Sequence, residues 1–119
     1  MTSKKQTEEL KKIGFSDFCA DFALVEYDCG STELKSSIDI SSDEEVIYYC
    51  WSLEKLLSML PKKIDEIYLQ SINTDKEGCY EICYKLKDNI RLRSGYHKNL
   101  IDSIIEIFKI LRYDCISCL

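Results

Sequence analysis

The sequence predicts an α+β fold of two layers, in which helices over about residues 52–60 and 98–112 pack on one face of an antiparallel β-meander over about residues 66–94. Three observations carry this expectation. Leu53, Leu56, Leu57 and Leu60 recur at i, i+3, i+4 and i+7, the stripe of a helix buried on one side. Three successive segments between Ile67 and Leu92 alternate apolar and polar residues, as half-buried strands do. Leu100, Ile101, Ile104, Ile105, Ile107, Phe108 and Leu111 then form an apolar face too wide for a surface helix. A chain of 119 residues suits one core, so a single domain over residues 1–119 is expected.

The chain opens with a short helix, for which Thr7 is the expected N-cap, Glu8 and Glu9 occupy the positive first turn, and Leu10 and Ile13 point inward. Gly14 ends it. With Gly14 left-handed, Leu10 and Phe15 take the two apolar positions of a Schellman ending. A β-rich segment follows. Phe22 and Leu24 share one parity, Ala23, Val25 and Tyr27 the other, and Ile38 and Ile40 come later; two strands joined through Asp28-Cys29-Gly30-Ser31 are expected. Ser41-Ser42-Asp43-Glu44-Glu45 reads as a solvated acidic loop.

Val46 to Trp51 is extended and enters a helix at Ser52, whose hydroxyl can cap the first turn. Leu57 is the centre of the leucine stripe, and Pro61 stops the helix ahead of Lys62 and Lys63. In the meander, face matching pairs Leu69 with Ile82 and Ile67 with Tyr84 across the loop from Asn73 to Gly78. It then pairs Leu86 with Ile90 and Tyr84 with Leu92 across a three-residue turn, Lys87-Asp88-Asn89. The outer face becomes Tyr68, Gln70, Ile72, Cys79, Glu81, Cys83, Lys85, Arg91 and Arg93. Lys85 then opposes Arg91, a like-charge pair that an anionic neighbour would relieve. On the last helix Asn99, Asp102, Ser103, Glu106 and Lys109 form a polar strip.

Composition excludes several function classes. Gly and Pro number four and one, too few for collagen or a flexible linker. No apolar run approaches the ~20 residues of a membrane helix, and Met1-Thr2-Ser3-Lys4-Lys5-Gln6 leads into a charged helix instead of a signal region, so a cytoplasmic protein with no membrane association is expected. Residues 1–14, 15–45 and 46–119 carry net charges of +2, −8 and +1. An acidic chain of pI about 4.9 argues against general nucleic-acid binding.

Seven cysteines without a secretion signal point to reduced thiols. Cys115-Ile116-Ser117-Cys118 has metal-ligand spacing, but the nearest second pair is Cys79 and Cys83 with His97, so no metal, cofactor or redox role is expected. No catalytic constellation emerges either. His97 is the one imidazole available as a base for any thiol, and nothing fixes Asp102 against Asp65 or Glu66. The chain reads as not an enzyme.

Trp51-Ser52-Leu53, followed by Leu56-Leu57 and Leu60-Pro61, resembles a motif of short uncharacterised proteins of gut Bacteroidetes and their phages, prophages and other mobile elements. Leu10-Lys11 with Gly14-Phe15, and Asn99-Leu100-Ile101-Asp102, extend the resemblance over most of the chain. Tyr49-Cys50 departs from it, since Pro or Ala is common there. These are packing motifs, so the resemblance implies a fold and a mobile-element origin and brings no activity, cofactor or catalytic residue.

Two functions follow as expectations. The first is a non-enzymatic accessory or interaction protein with a protein partner. A weak homodimer is expected through the outer sheet face at Tyr68, Ile72, Lys85, Arg91 and Arg93, with the acidic segment from Asp39 to Glu45 as counterpart. The alternative is a weak nucleic-acid or anion binder using Lys85, Lys87, Arg91, Arg93 and Lys98, with Tyr96 as a stacking ring.

Overall fold

The computed structural model describes residues 1–64, 67–86 and 89–111. The fold is α+β, with two antiparallel sheets and three helices among the described residues. The chain forms two compact units, Met1–Lys55 and a second that begins at Leu56.

In the first unit, α1 (Lys4–Ile13) begins one turn earlier than Thr7 would place it. Ser3 is the N-cap. Its hydroxyl accepts from the Gln6 amide at 3.2 Å, and the Gln6 side-chain oxygen accepts from the Ser3 amide at 2.8 Å, a complete capping box. Thr7 is instead buried inside the helix, its hydroxyl 3.0 Å from that of Thr2. The C-terminal end is as expected: Gly14 has φ 122°, its amide donates to Lys11 O, and the Phe15 amide donates to Leu10 O. Leu10 and Phe15 are both buried.

A three-stranded antiparallel sheet follows, in the order β2 (Thr32–Ser36), β1 (Phe22–Glu26), β3 (Glu45–Cys50). The two expected N-terminal strands are therefore present, but Phe18 and Ile38 lie outside them, in short 3₁₀ turns at Asp17–Cys19 and Ser37–Asp39. Ala23 and Val25 face the core from the central strand, and α1 lies against β3. Trp51 is wholly buried, with Phe15 edge-on at 5.5 Å between ring centroids. Thr2 ties the N-terminus to it: the Thr2 amide donates to Trp51 O, and the Trp51 amide donates to the Thr2 hydroxyl, both at 2.9 Å.

Helix α2 (Leu53–Met59) is capped as anticipated, the Ser52 hydroxyl accepting from the Lys55 amide at 3.1 Å. The Asp21 carboxylate holds that cap in place by accepting from both the amide and the hydroxyl of Ser52. Burial centres on Leu56 and Leu60, and Leu57 is only half-buried, so the expected centre of the stripe is displaced by one residue.

In the second unit the sheet order is β4 (Lys63–Ile64), β5 (Ile67–Thr74), β6 (Tyr80–Leu86), β7 (Asn89–Arg93), and β5 to β7 form the predicted meander. Its register is not the one that parity gives. The hairpin closes at Thr74 and Tyr80, where parity closes it at Ile72 and Cys79, so Ile72 pairs with Ile82; Gln70 is then an extra residue at a bulge, beyond which Leu69 pairs with Tyr84. On the other side Tyr84 pairs with Leu92 as expected, but a second bulge at Arg91 sets Ile90 opposite Lys85 and Asn89 opposite Leu86; Lys87 and Asp88 of the expected turn lie outside the described residues. Lys85 and Arg91 therefore do not oppose one another. The first hairpin is tightened by Asp75, whose carboxylate accepts from the amides of Glu77 and Cys79, both at 2.9 Å.

Strand β6 is buried on both faces, from Glu81 through Tyr84. Helix α3 (Leu100–Leu111) lies against it, capped by Asn99, whose side-chain oxygen accepts from the Ile101 amide at 2.9 Å. Ser103, expected on the polar strip, is buried and donates to Tyr80 O at 2.7 Å. It satisfies a strand-end carbonyl.

Candidate functional site

The five residues singled out on the meander do not form one patch. Cys83 pairs with Arg93, and Lys85 follows two residues along β6, so these three share a face; Ile72, paired with Ile82, stands on the opposite one. Arg91 is the bulge residue of β7, and the Tyr68 backbone pairs with Lys85. The bulge at Gln70 is what separates Ile72 from the cations, and a parity argument cannot anticipate an inserted residue.

Arg93 is also committed. Its Nε donates to Glu81 Oε2 at 3.0 Å and its Nη2 to Glu81 Oε1 at 2.9 Å. This two-pronged bond holds the Glu81 carboxyl below the ordinary glutamate range despite its burial, and the Cys83 thiol, donating to Glu81 Oε1 at 3.3 Å, adds to the effect. Burial, then Glu81, push the Cys83 thiol up, so it is a poor nucleophile. Glu81, Cys83 and Arg93 thus form a closed network whose cation is already neutralised.

His97 lies across from Tyr80 in a β-bridge, its Nε2 3.3 Å from Ser94 O. Among the described residues no group of three or more His, Cys, Asp or Glu side chains could hold a metal ion, and Cys115, Cys118, Asp65, Glu66 and Lys87 lie outside the described residues. Among the described residues no helix is long and apolar enough to cross a membrane.

A different surface stands out, in the first unit. Phe18 is 98% exposed and Ile38 is 89% exposed, whereas the next most exposed large hydrophobic residue among those described, Tyr96, reaches 47%. Both sit on the 3₁₀ turns noted above, and the Ser37 amide donates at 2.9 Å to O of Asp21, two residues beyond the Phe18 turn. Between them lies a cavity of about 420 Å³ lined by Asp17, Phe18, Ala20, Ser37 and Tyr49. The Phe18 turn is fixed from both ends. The Ser16 hydroxyl accepts from the Phe18 amide at 3.2 Å, and the Cys19 and Ala20 amides donate to Ser16 O and Asp17 O.

The sequence offers a faint signal for this surface. Ser16-Asp17-Phe18 and Ser37-Ile38-Asp39 each set one large apolar residue among turn-forming polar ones, which breaks the alternation that would have buried it in a strand. Asp17, the one carboxylate lining the cavity, is paired with Lys11 at 3.2 Å, and Lys35 is bound by Glu44 at 2.8 and 2.9 Å. Comparison with protein-family models, curated proteins and solved structures finds no match to the chain.

Proposed function

We propose that this chain is a non-catalytic interaction protein that docks a protein partner on the Phe18–Ile38 surface. The observation that carries this reading is the near-complete exposure of two large apolar side chains on short 3₁₀ turns, Phe18 lining a cavity that Ser37, the neighbour of Ile38, also lines. Leaving both in water gives up roughly 1.5–3 kcal/mol each of burial free energy, a cost that a partner would recover. The resemblance of the Trp51 to Pro61 segment supports a mobile-element setting. Neutralisation of Arg93 by Glu81 weighs against the anion-binding reading, because it removes one of the cations that reading needs.

The test is photocrosslinking inside the cells that encode the protein, with a benzophenone amino acid replacing Phe18 and, separately, the exposed Glu54. Position 18 should give a discrete adduct with another protein, lost on adding Ile38→Ser, while position 54 gives none. Identical adducts from both positions, or none from position 18, would overturn the reading.

A further inference from the structure

We infer that β2 is the pairing edge of a homodimer: two copies join β2 to β2, antiparallel about a two-fold axis at Leu34, so that two three-stranded sheets become one continuous sheet. β2 is the outermost strand of its sheet, and no other described strand pairs with its outer side. Hydrogen-bonded and open pairs alternate along an antiparallel ladder. The Tyr27 amide donates to Ser31 O and the Ser37 amide to Asp21 O, which places bonded pairs at both ends of the β1–β2 register. Between them Val25 with Glu33 and Ala23 with Lys35 are the bonded pairs. The amides and carbonyls of Thr32, Leu34 and Ser36 are therefore directed away from β1, along the open edge. Such an edge is a template for another strand.

The strand Thr32-Glu33-Leu34-Lys35-Ser36 is its own complement when reversed. Pairing about Leu34 sets Leu34 against the partner's Leu34 and Thr32 against the partner's Ser36, so every outward amide meets an outward carbonyl. Between these bonded pairs Glu33 stands opposite the partner's Lys35, twice by symmetry. Those are the open pairs, in which side chains come closest and opposite charges attract. Both side chains have bonding capacity left. Lys35 gives at most two of its three donors to Glu44, at 2.8 and 2.9 Å, and Glu33 accepts from the Tyr27 hydroxyl through one of its two oxygens. Leu34, on the other face of β2, is 43% exposed and meets its twin at the axis.

Charged residues on an edge strand ordinarily deter pairing. Here they deter strands that lack the reversed pattern and admit a second copy, because Glu33 and Lys35 stand at equal distances either side of the axis. β7, the described outer strand of the other sheet, has no such match. Pairing with a copy about its middle residue would set Arg91 against the partner's Arg91. The net charge of −5 on each chain opposes association, but at 0.15 M salt it is screened beyond about 8 Å, whereas the cross-strand pairs lie well inside that distance. Five paired residues bury far less than the ~1,600 Å² of a standard interface, so the dimer is weak.

The experiment is sedimentation velocity of the full chain from about 1 μM to 1 mM, which should show a monomer passing reversibly into a dimer and nothing larger, since two-fold pairing closes on itself. Over the same range, nuclear magnetic resonance should show the amides of Thr32, Leu34 and Ser36 gaining protection from exchange. Leu34→Pro removes the central outward donor without touching the ladder to β1, and should abolish the dimer. Glu33→Lys turns two attractive pairs repulsive and should weaken it by at least about tenfold. Lys35→Glu with Glu44→Lys, which keeps the internal ion pair in reverse, should weaken it likewise. Mixed in equal amounts, these two charge variants should form a heterodimer, because every cross-strand pair is again of opposite sign. Near-UV circular dichroism of the buried Trp51 reports whether each variant is folded, and where one unfolds the amide protection of the wild type decides. A monomer at every concentration, protection confined to other amides, a dimer that survives Leu34→Pro, or a mixture no tighter than its folded components would each overturn the inference. Ile72→Asp, on the other sheet, should leave the dimer intact, and a dimer lost with that substitution would belong to another face and overturn it too.

Discussion

Arg93 grips the buried carboxylate of Glu81 with two parallel hydrogen bonds, Nε to Oε2 and Nη2 to Oε1, at 3.0 and 2.9 Å. Because the folded state holds Glu81 below its ordinary value of 4.5, the ionised carboxylate contributes stability that is fully present above that value and is lost as pH falls through the lower folded one. Arg93→Gln leaves the carboxylate buried without its cation, raising its folded pKa. The variant should therefore begin to unfold at a higher pH than the wild type in an acid titration followed by far-UV circular dichroism. Coincident acid limbs would show that Arg93 is dispensable to the network.

Thr2 and Trp51 exchange two bonds in a buried setting, and Thr2 Oγ1 is the acceptor for the Trp51 amide. Thr2→Val keeps the shape and strands that amide without a partner. It should cost about 1–3 kcal/mol in denaturant melts, while Thr2→Ser, which keeps the hydroxyl, should cost much less. A loss as large in Thr2→Ser as in Thr2→Val would show that the hydroxyl does not account for the cost.

What was legible in the sequence was chemistry confined to neighbouring residues. Gly14 with Leu10 and Phe15 spelled out a helix ending, and Ser52 before the leucine stripe spelled out a helix start; both form because their partners are a few residues away. Ser3-x-x-Gln6 is an equally local capping box, and it outcompetes Thr7, whose hydroxyl is drawn inward to Thr2. The meander was legible as three strands. Its register was not, because alternation does not say that the first hairpin closes at Thr74 and Tyr80, and the bulges at Gln70 and Arg91 each insert a residue that a period of two cannot reveal. That error alone merged Ile72 with Lys85 and Arg93. The Phe18–Ile38 surface escaped for a related reason, since exposure depends on which turn holds a residue and hydrophobicity alone favours burial.

Leu56 is wholly buried and Leu57 is half-buried, although both belong to the same stripe. Leu56→Ala should cost about 2–5 kcal/mol, a large fraction of the ~5–15 that holds a domain together. Leu57→Ala, with part of its surface already in water, should cost less than about half as much. Chemical denaturation of the two variants side by side decides the order, and a larger loss at Leu57 would contradict the observed burial.

The described thiols differ sharply in environment. Cys29 is exposed at the β1–β2 turn, and bonding from the Ser31 hydroxyl and backbone lowers its pKa. Cys50 is buried, and desolvation, followed by the charge of Asp21, pushes it up to about 11. At pH 7.5 such a thiol is ionised in roughly one molecule in three thousand, and the thiolate is the species that reacts. Iodoacetamide added to the native reduced protein should therefore alkylate Cys29 first, while Cys50 and Cys83 stay unmodified until the chain is unfolded. Peptide mass spectrometry over a time course reads this directly, and Cys50 reacting as fast as Cys29 would sink it. After anaerobic denaturation all seven cysteines of the sequence should titrate as free thiols, and a reproducible count of five or fewer would reveal a disulfide.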